Sequence, residues 1–251
     1  MGIVQVKDLS KVFAQSDGSE IYAVDHIDFS VNAGEILGIV GESGSGKSTA
    51  AKLLTRLIEP TSGTIIVDGE DITKLKGRKL RNVYGKIQMV FQNPTGSFDP
   101  RRTIGNGIGE SLKNRGDAKD DIERKVADLL ERCGLSAETA YRYPHEISGG
   151  QCQRAAIARA LAAAPKILIL DEATSSLDVT VQKKIIELLR QLQKEKNLTY
   201  LFICHNIALV QQFCTSAVVM YEGKIVEEGT PDDIIMSPKS EYTRMLIDSV
   251  F

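Results

Sequence analysis

The chain predicts an α/β fold with a mostly parallel sheet, and three observations carry that prediction. Residues 35–40 are nearly continuous in apolar side chains, as a strand buried on both faces requires. They lead directly into the glycine-rich segment GESGSGKST and then into a stretch with helical apolar spacing. Later in the chain, helical and strand patterns alternate, which implies parallel strands joined through helices.

The elements follow in order. The opening third is β-rich: residues 3–6, 21–24, 27–31 and 65–67 are short β-branched runs, set apart by turn pairs such as Asp17-Gly18 and Asp68-Gly69. Residues 49–58 place Leu53, Leu54, Leu57 and Ile58 at helical spacing. From about Pro94 to His145 strand patterns are weak. Residues 120–133 have helical spacing at Ile122, Val126, Leu129 and Leu130, and 103–112 form a second helix candidate, so this region reads as a helical insertion. Residues 151–163 read as a helix ended by Pro165, followed by a strand over 167–170. Residues 181–195 form another helix, with Ile185, Ile186, Leu189 and Leu192 on one face, and 198–204 and 217–221 are strands.

Composition narrows the class. With 251 residues, 42% hydrophobic and 25% charged, the chain has the make-up of a soluble globular protein with a large core. A net charge of −2 and a pI near 6.0 argue against a nucleic-acid-binding module. The four cysteines, Cys133, Cys152, Cys204 and Cys214, form no C-x-x-C pair and have no histidine cluster, so they are expected to be reduced thiols acting as small buried or half-buried hydrophobes. The start, MGIVQVKDLSKVF, has no apolar segment of the kind a secretory signal needs, and Val6 breaks the myristoylation pattern. Residues 197–221 carry no charge, yet His205, Asn206, Gln211 and Gln212 interrupt any apolar run. They are expected to form two buried strands around a short helix, not a membrane span.

Gly41, Glu42, Ser43, Gly44, Ser45, Gly46, Lys47, Ser48 and Thr49 satisfy G-x-x-x-x-G-K-[ST] between a buried strand and a helix. The glycines let successive backbone N–H groups fold around phosphate oxygens, and the helix adds its N-terminal dipole. Lys47 would supply charge to the β- and γ-phosphates, and the Ser48 hydroxyl can ligate Mg²⁺. This segment predicts binding of a nucleoside triphosphate. Further on, ILILDE ends a buried strand in two acids. Asp171 suits the organisation of Mg²⁺, and Glu172 suits a general base toward the attacking water. Taken without the phosphate loop, Glu172 reads equally as a helix-capping or solvated carboxylate, and a lone His205 after a buried strand reads as structural.

GESGSGKST, Gln92, ISGGQ at 147–151, ILILDE, SSLD at 175–178 and His205 occur in the order found in ATP-binding cassette (ABC) ATPases, and the chain resembles that family over nearly its whole length. The resemblance implies a P-loop cassette with a RecA-like, mostly parallel sheet, an antiparallel β subdomain and a helical subdomain. It implies one ABC domain over 1–251, with 1–93 and 165–251 as the catalytic core and about 94–164 as the helical part carrying the signature. ATP and Mg²⁺ are the implied cofactors. Gln92 resembles the glutamine that contacts Mg²⁺ and the attacking water and senses the membrane partner, and His205 resembles the switch histidine near the γ-phosphate. Ser148, Gly149, Gly150 and Gln151 resemble the signature loop that closes over ATP held by the partner's phosphate loop in a head-to-tail dimer. Asp178 resembles the aspartate that communicates across that dimer. Phe13 aligns with the aromatic that stacks on adenine, with Tyr22 as its rival. Ile147 stands where the family usually has Leu, a volume-conserving change.

Within the family, Asn93-Pro94 followed by Ser97, Pro100, Arg101 and Thr103 resembles the peptide and nickel importers. SSLDVTVQ and the late residues Ser237-Pro238, Tyr242-Thr243 and Met245-Leu246 resemble the same subgroup. The short end is closer to the nickel or metallophore branch than to peptide importers with a cysteine-containing tail. This resemblance implies a subunit at the cytoplasmic face of the cell membrane, held there by two transmembrane permease subunits. A second homologous ATPase subunit, often a different chain, is the expected partner, with an extracytoplasmic binding protein acting indirectly and no nucleic acid. The alternative is a soluble ABC ATPase of DNA repair or translation. Repair members carry long coiled coils or zinc modules between the phosphate loop and the signature, and translation members usually carry two cassettes.

Overall fold

The computed structural model describes residues 2–174 and 177–249. Ser175 and Ser176, which open the SSLD segment, lie outside the described residues. Two compact units form, one from residues 1–84 and 197–251 and the other from 85–196.

In the first unit, β1 (Val4–Ala14), β2 (Glu20–Val31), β4 (Ser62–Val67) and β5 (Glu70–Asp71) make an antiparallel sheet in the order β2-β1-β4-β5. The two runs expected at 21–24 and 27–31 are one strand. The join is irregular, with bulges in the β1–β2 register, and Asp8 and His26 both have positive φ (50° and 49°). Their side chains meet at 2.5 Å between His26 Nδ1 and Asp8 Oδ1. The bulge breaks the two-residue alternation that defines a strand in sequence, so the sequence reads it as two.

The same unit holds β3 (Ile36–Val40), β8 (Thr199–Cys204), β9 (Ser216–Tyr221) and β10 (Lys224–Gly229) in the order β10-β9-β3-β8. β3 pairs in parallel with both β8 and β9, and every residue of β3 and β8 is buried. Around them lie α1 (Lys47–Leu54), α2 (Gly77–Tyr84), α7 (Ile207–Phe213), α8 (Pro231–Met236) and α9 (Glu241–Asp248). Residues 197–221 therefore form the expected strand–helix–strand unit, and among the described residues no helix is long and apolar enough to cross a membrane.

Helix α1 stops four residues before the predicted end. Arg56 takes the left-handed conformation (φ 54°), with Arg56 N–H donating to Leu53 O and Leu57 N–H to Lys52 O, both at 2.9 Å. This is a Schellman ending with arginine where glycine is usual. The arginine offsets its backbone strain by donating from Nε to Ile72 O (3.1 Å) and from Nη1 to Ile58 O (3.2 Å).

The second unit contains β6 (Ile87–Val90) and β7 (Ile167–Asp171), paired in parallel, with α3 (Ile104–Arg115), α4 (Lys119–Arg132), α5 (Gly149–Ala162) and α6 (Val179–Lys196). α3 and α4 both pack on α5, whose many small residues permit close approach. Cys133 is buried beside this helix layer, and desolvation pushes its thiol up to about 12, so it behaves as a packing group.

Candidate active site

The first unit presents the glycine-rich loop. Strand β3 delivers the chain at Gly41, and Gly46 caps α1 in a left-handed conformation without a side-chain hydrogen bond. Lys47, the first residue of α1, is 4% exposed and turns back onto the loop. Its Nζ donates to Glu42 O at 2.6 Å, Gly41 O at 2.8 Å and Ser45 Oγ at 3.2 Å. A buried ammonium is tolerable only with such partners. The loop thus fixes a positive charge beside a helix N-terminus, where an anion is favoured.

Glycine is required at Gly46. Its φ is 101°, and an added Cβ would lie 2.3 Å from Ala23 O. Gly46→Ala is therefore expected to cost about 2–4 kcal/mol, from left-handed strain plus overlap. Scanning calorimetry should show a Tm lower by about 5–15 °C. A wild-type Tm would mean that the loop relaxes freely.

Phe13 and Tyr22 stand on the β1–β2 ribbon, 44% and 48% exposed, so neither is a core residue. Phe13 is opposite Ile21, and Val12 is opposite Tyr22. Cross-strand partners share a face, so the two aromatics project from opposite faces of the ribbon. Lys11 Nζ sits 5.0 Å from the centre of the Phe13 ring. His205 follows β8 directly and is exposed, while Asn206 caps α7 by accepting from Leu209 N–H at 3.2 Å.

The second unit brings together the acidic and amide residues. Asp171 ends β7 and is 4% exposed. Glu172, the next residue, has φ 49°, a costly conformation for a non-glycine residue that turns the chain sharply off the strand. Its Oε2 accepts from Gln92 Nε2 at 2.6 Å, joining residues 80 positions apart. Asp178 accepts from Val181 N–H at 2.9 Å and so caps α6.

Ser148 is the N-cap of α5. Its Oγ accepts from Gln151 N–H at 3.3 Å, and Gln151 Oε1 accepts from Ser148 N–H at 2.9 Å. This reciprocal capping box is legible as Ser-x-x-Gln, a signal not used in the sequence reading. Gly149 and Gly150 then form the first turn of the helix.

Two side chains of α5 that the sequence did not single out hold the Gln92 segment. Gln153, fully buried, donates from Nε2 to Phe91 O at 3.3 Å. Arg159 donates from Nη1 to Ser97 O and lies over the Phe98 ring at 5.2 Å. Desolvation lowers the Arg159 pKa, a measure of how far its guanidinium is withdrawn from water.

A buried parallel strand, a glycine-rich loop and a helix whose first lysine folds back onto the loop carbonyls define a P-loop nucleotide-binding protein. The chain belongs to the ABC transporter family, whose sequence profile matches residues 24–175. It is 47% identical over 255 residues to the glutathione import ATP-binding protein GsiA of Salmonella typhimurium, across 99% of this chain and 41% of that one. It is 42% identical over 250 residues to the oligopeptide transport ATP-binding protein OppF of Streptococcus mutans, across 99% of this chain and 81% of that one. The chain thus spans 41% of the length of its GsiA relatives. Among solved structures it is similar to the ATP-binding cassette MJ0796, a dimer in a post-hydrolysis state bound to ADP and Pi. The TM-score is 0.86 at 29% identity, covering 91% of this chain and 98% of that one. It is also similar to cbiO1 from Clostridium perfringens, part of the ABC transporter complex cbiONQ, with a TM-score of 0.80 at 31% identity over 94% and 91% of the two chains.

Proposed function

We propose that this chain is the ATP-binding and ATP-hydrolysing subunit of an importer, with peptides as the favoured cargo class and nickel or metal chelates as the second. The observation that carries the ATPase reading is the loop at 41–49, folded around the Lys47 ammonium. The importer reading is supported by relatives named for glutathione and oligopeptide import, since glutathione is itself a tripeptide. Those relatives also favour transport over a role in DNA repair or translation.

The residues take the following roles in this reading. The loop at 41–49 and Lys47 hold the triphosphate, and Phe13 stacks on adenine, with Tyr22 on the opposite face of the ribbon as the alternative. Ser48, Asp171 and Gln92 offer hydroxyl, carboxylate and amide oxygens, a hard oxygen set that fits Mg²⁺. When bound, Mg²⁺ neutralises charge on the β- and γ-phosphates. Glu172 takes the proton of the attacking water, oriented by the Gln92 amide, and His205 faces the γ-phosphate. Ser148, Gly149, Gly150 and Gln151 close over the nucleotide of a second, homologous subunit, with Asp178 at that interface.

The chain acts as one cassette, with 1–93 and 165–251 as the catalytic core and about 94–164 as the helical part. It works on the cytoplasmic face of the membrane beneath two permease subunits, fed by an extracytoplasmic binding protein. The test is reconstitution in vesicles with candidate permeases, a partner ATPase and the binding protein. Peptide-loaded binding protein is expected to raise phosphate release several-fold. Stimulation by a nickel chelate alone moves the cargo to the second class, and no stimulation by either overturns the importer reading.

A further inference from the structure

We infer that Tyr242 is a positioning residue of the phosphate loop, and that α9 is thereby a working part of the nucleotide site. The inference rests on the proposed role of the 41–49 loop in holding the triphosphate.

The peptide unit between Gly41 and Glu42 is held at both ends. Its carbonyl, Gly41 O, accepts from Lys47 Nζ at 2.8 Å. Its amide, Glu42 N–H, donates to Tyr242 Oη at 2.9 Å, a contact between residues 200 positions apart. Gly41 has a φ of 154° and no Cβ, so nothing in its own side chain restrains the rotation of this peptide. If the peptide turned, Gly41 O would swing away from the lysine that it steadies. The phenol oxygen opposes that turn from outside the loop.

Tyr242 is itself well placed to act as a fixed point. It is 6% exposed, and its ring stacks on Tyr221 with centroids 4.2 Å apart and planes at 29°. The entrance to α9 is anchored by Glu227 of β10, whose carboxylate accepts from Lys239 N–H at 2.9 Å and Ser240 N–H at 3.0 Å. Burial disfavours the Glu227 charge, but these amides, together with the Thr243 side chain and the Lys239 charge, hold its pKa below the ordinary value. Leu246, one turn beyond Tyr242, is also buried and keeps the helix seated.

The stacked Tyr221 extends the brace. Two residues after it, Gly223 N–H donates to Ser45 O at 3.1 Å, while Gly223 O accepts from Asp25 N–H at 2.9 Å. The loop is therefore gripped at Glu42 by α9 and at Ser45 by the β9–β10 turn, and the Tyr221–Tyr242 stack ties the two grips together. A buried tyrosine with a merely satisfied hydroxyl would serve packing alone. The hydrogen bond to a phosphate-loop amide is what distinguishes this one.

Tyr242→Phe keeps the ring and removes the acceptor. It is expected to raise the KM for ATP, and the ADP dissociation constant measured by calorimetry, about five- to tenfold, the worth of one hydrogen bond to a partly buried amide. Its kcat at saturating ATP is expected to stay near wild type, because the interaction supports ground and transition state alike. Glu42→Pro removes the donor, so in that background Tyr242→Phe is expected to have no further effect on affinity. An unchanged ADP affinity in Tyr242→Phe overturns the inference, as does an equal loss in the Glu42→Pro background.

A measurement on the wild-type chain covers the case in which a variant does not fold. Hydrogen exchange without nucleotide should find the Glu42 amide protected, and exchange there at the unprotected rate overturns the inference. Lys47→Ala is assayed in parallel. If it abolishes ADP binding while Tyr242→Phe changes nothing, only the role of Tyr242 falls. If Lys47→Ala binds ADP normally, the reading of the loop falls, and the role of Tyr242 with it.

Discussion

Glu172→Gln is expected to lower ATP turnover by about 10²–10⁴, the usual contribution of a general base, while ATP binding persists. The substitution preserves size and shape, and the glutamine oxygen can still accept from Gln92 Nε2, where the wild-type contact is 2.6 Å. Backbone strain at position 172 is shared by variant and wild type, since both residues carry a Cβ at a φ of 49°. What disappears is the basic oxygen. A phosphate-release assay measures the loss, and size-exclusion chromatography with ATP is expected to show a lasting dimer, because the closed state no longer consumes its ligand. Unimpaired phosphate release would remove Glu172 from the role of base.

Lys47→Ala has the second large effect, on affinity. Its ammonium makes charge-assisted contacts at 2.6 and 2.8 Å to the carbonyls of Glu42 and Gly41. A lost charge-assisted hydrogen bond costs about 1.5–3 kcal/mol, so the combined loss of charge and loop order is expected to weaken nucleotide binding at least about 30-fold. Stability should change much less. The alanine takes a partner from Gly41 O, while Glu42 O keeps Ser45 N–H at 3.2 Å, and it also relieves the burial of a charge that is only 4% exposed, so these effects oppose each other. Calorimetric titration together with a thermal melt separates the two quantities. Wild-type affinity would contradict the assignment of the phosphate loop.

The parts of the fold that were legible in sequence are those set by local pattern. The β3–loop–α1 unit, the strand before Asp171 and the strand–helix–strand unit around His205 all follow from apolar runs and glycine spacing. The misses have physical causes. α2 is eight residues long and rich in basic side chains, so its stripe of Leu80, Val83 and Tyr84 is too brief to stand out. β10, paired antiparallel with β9, carries the charges of an edge strand. α8 is marked in the sequence only by Thr230 and Pro231, a cap and first-turn pair without an apolar stripe long enough to support it. In the site, motif order gave the residue types, but not the 2.6 Å contact between Gln92 and Glu172. Nor did the sequence show that Phe13 and Tyr22 lie on opposite faces, which becomes visible only once the β1–β2 register is known. Tyr242 belongs to a subgroup pattern in the sequence, but its partner at Glu42 lies beyond any local reading.

The two attachments of α5 to the Gln92 segment have a mechanical consequence. Gln153 and Arg159 lie six positions apart on one helix, about 9 Å at 1.5 Å per residue, and they grip Phe91 O and Ser97 O respectively. The stretch between those carbonyls, with Gln92 at its start, is stapled at both ends to the helix that begins at Ser148. It cannot translate along α5 without breaking a buried hydrogen bond. A displacement of residues 91–98 along the helix is therefore opposed at two points about a turn and a half apart, once by an amide and once by a guanidinium.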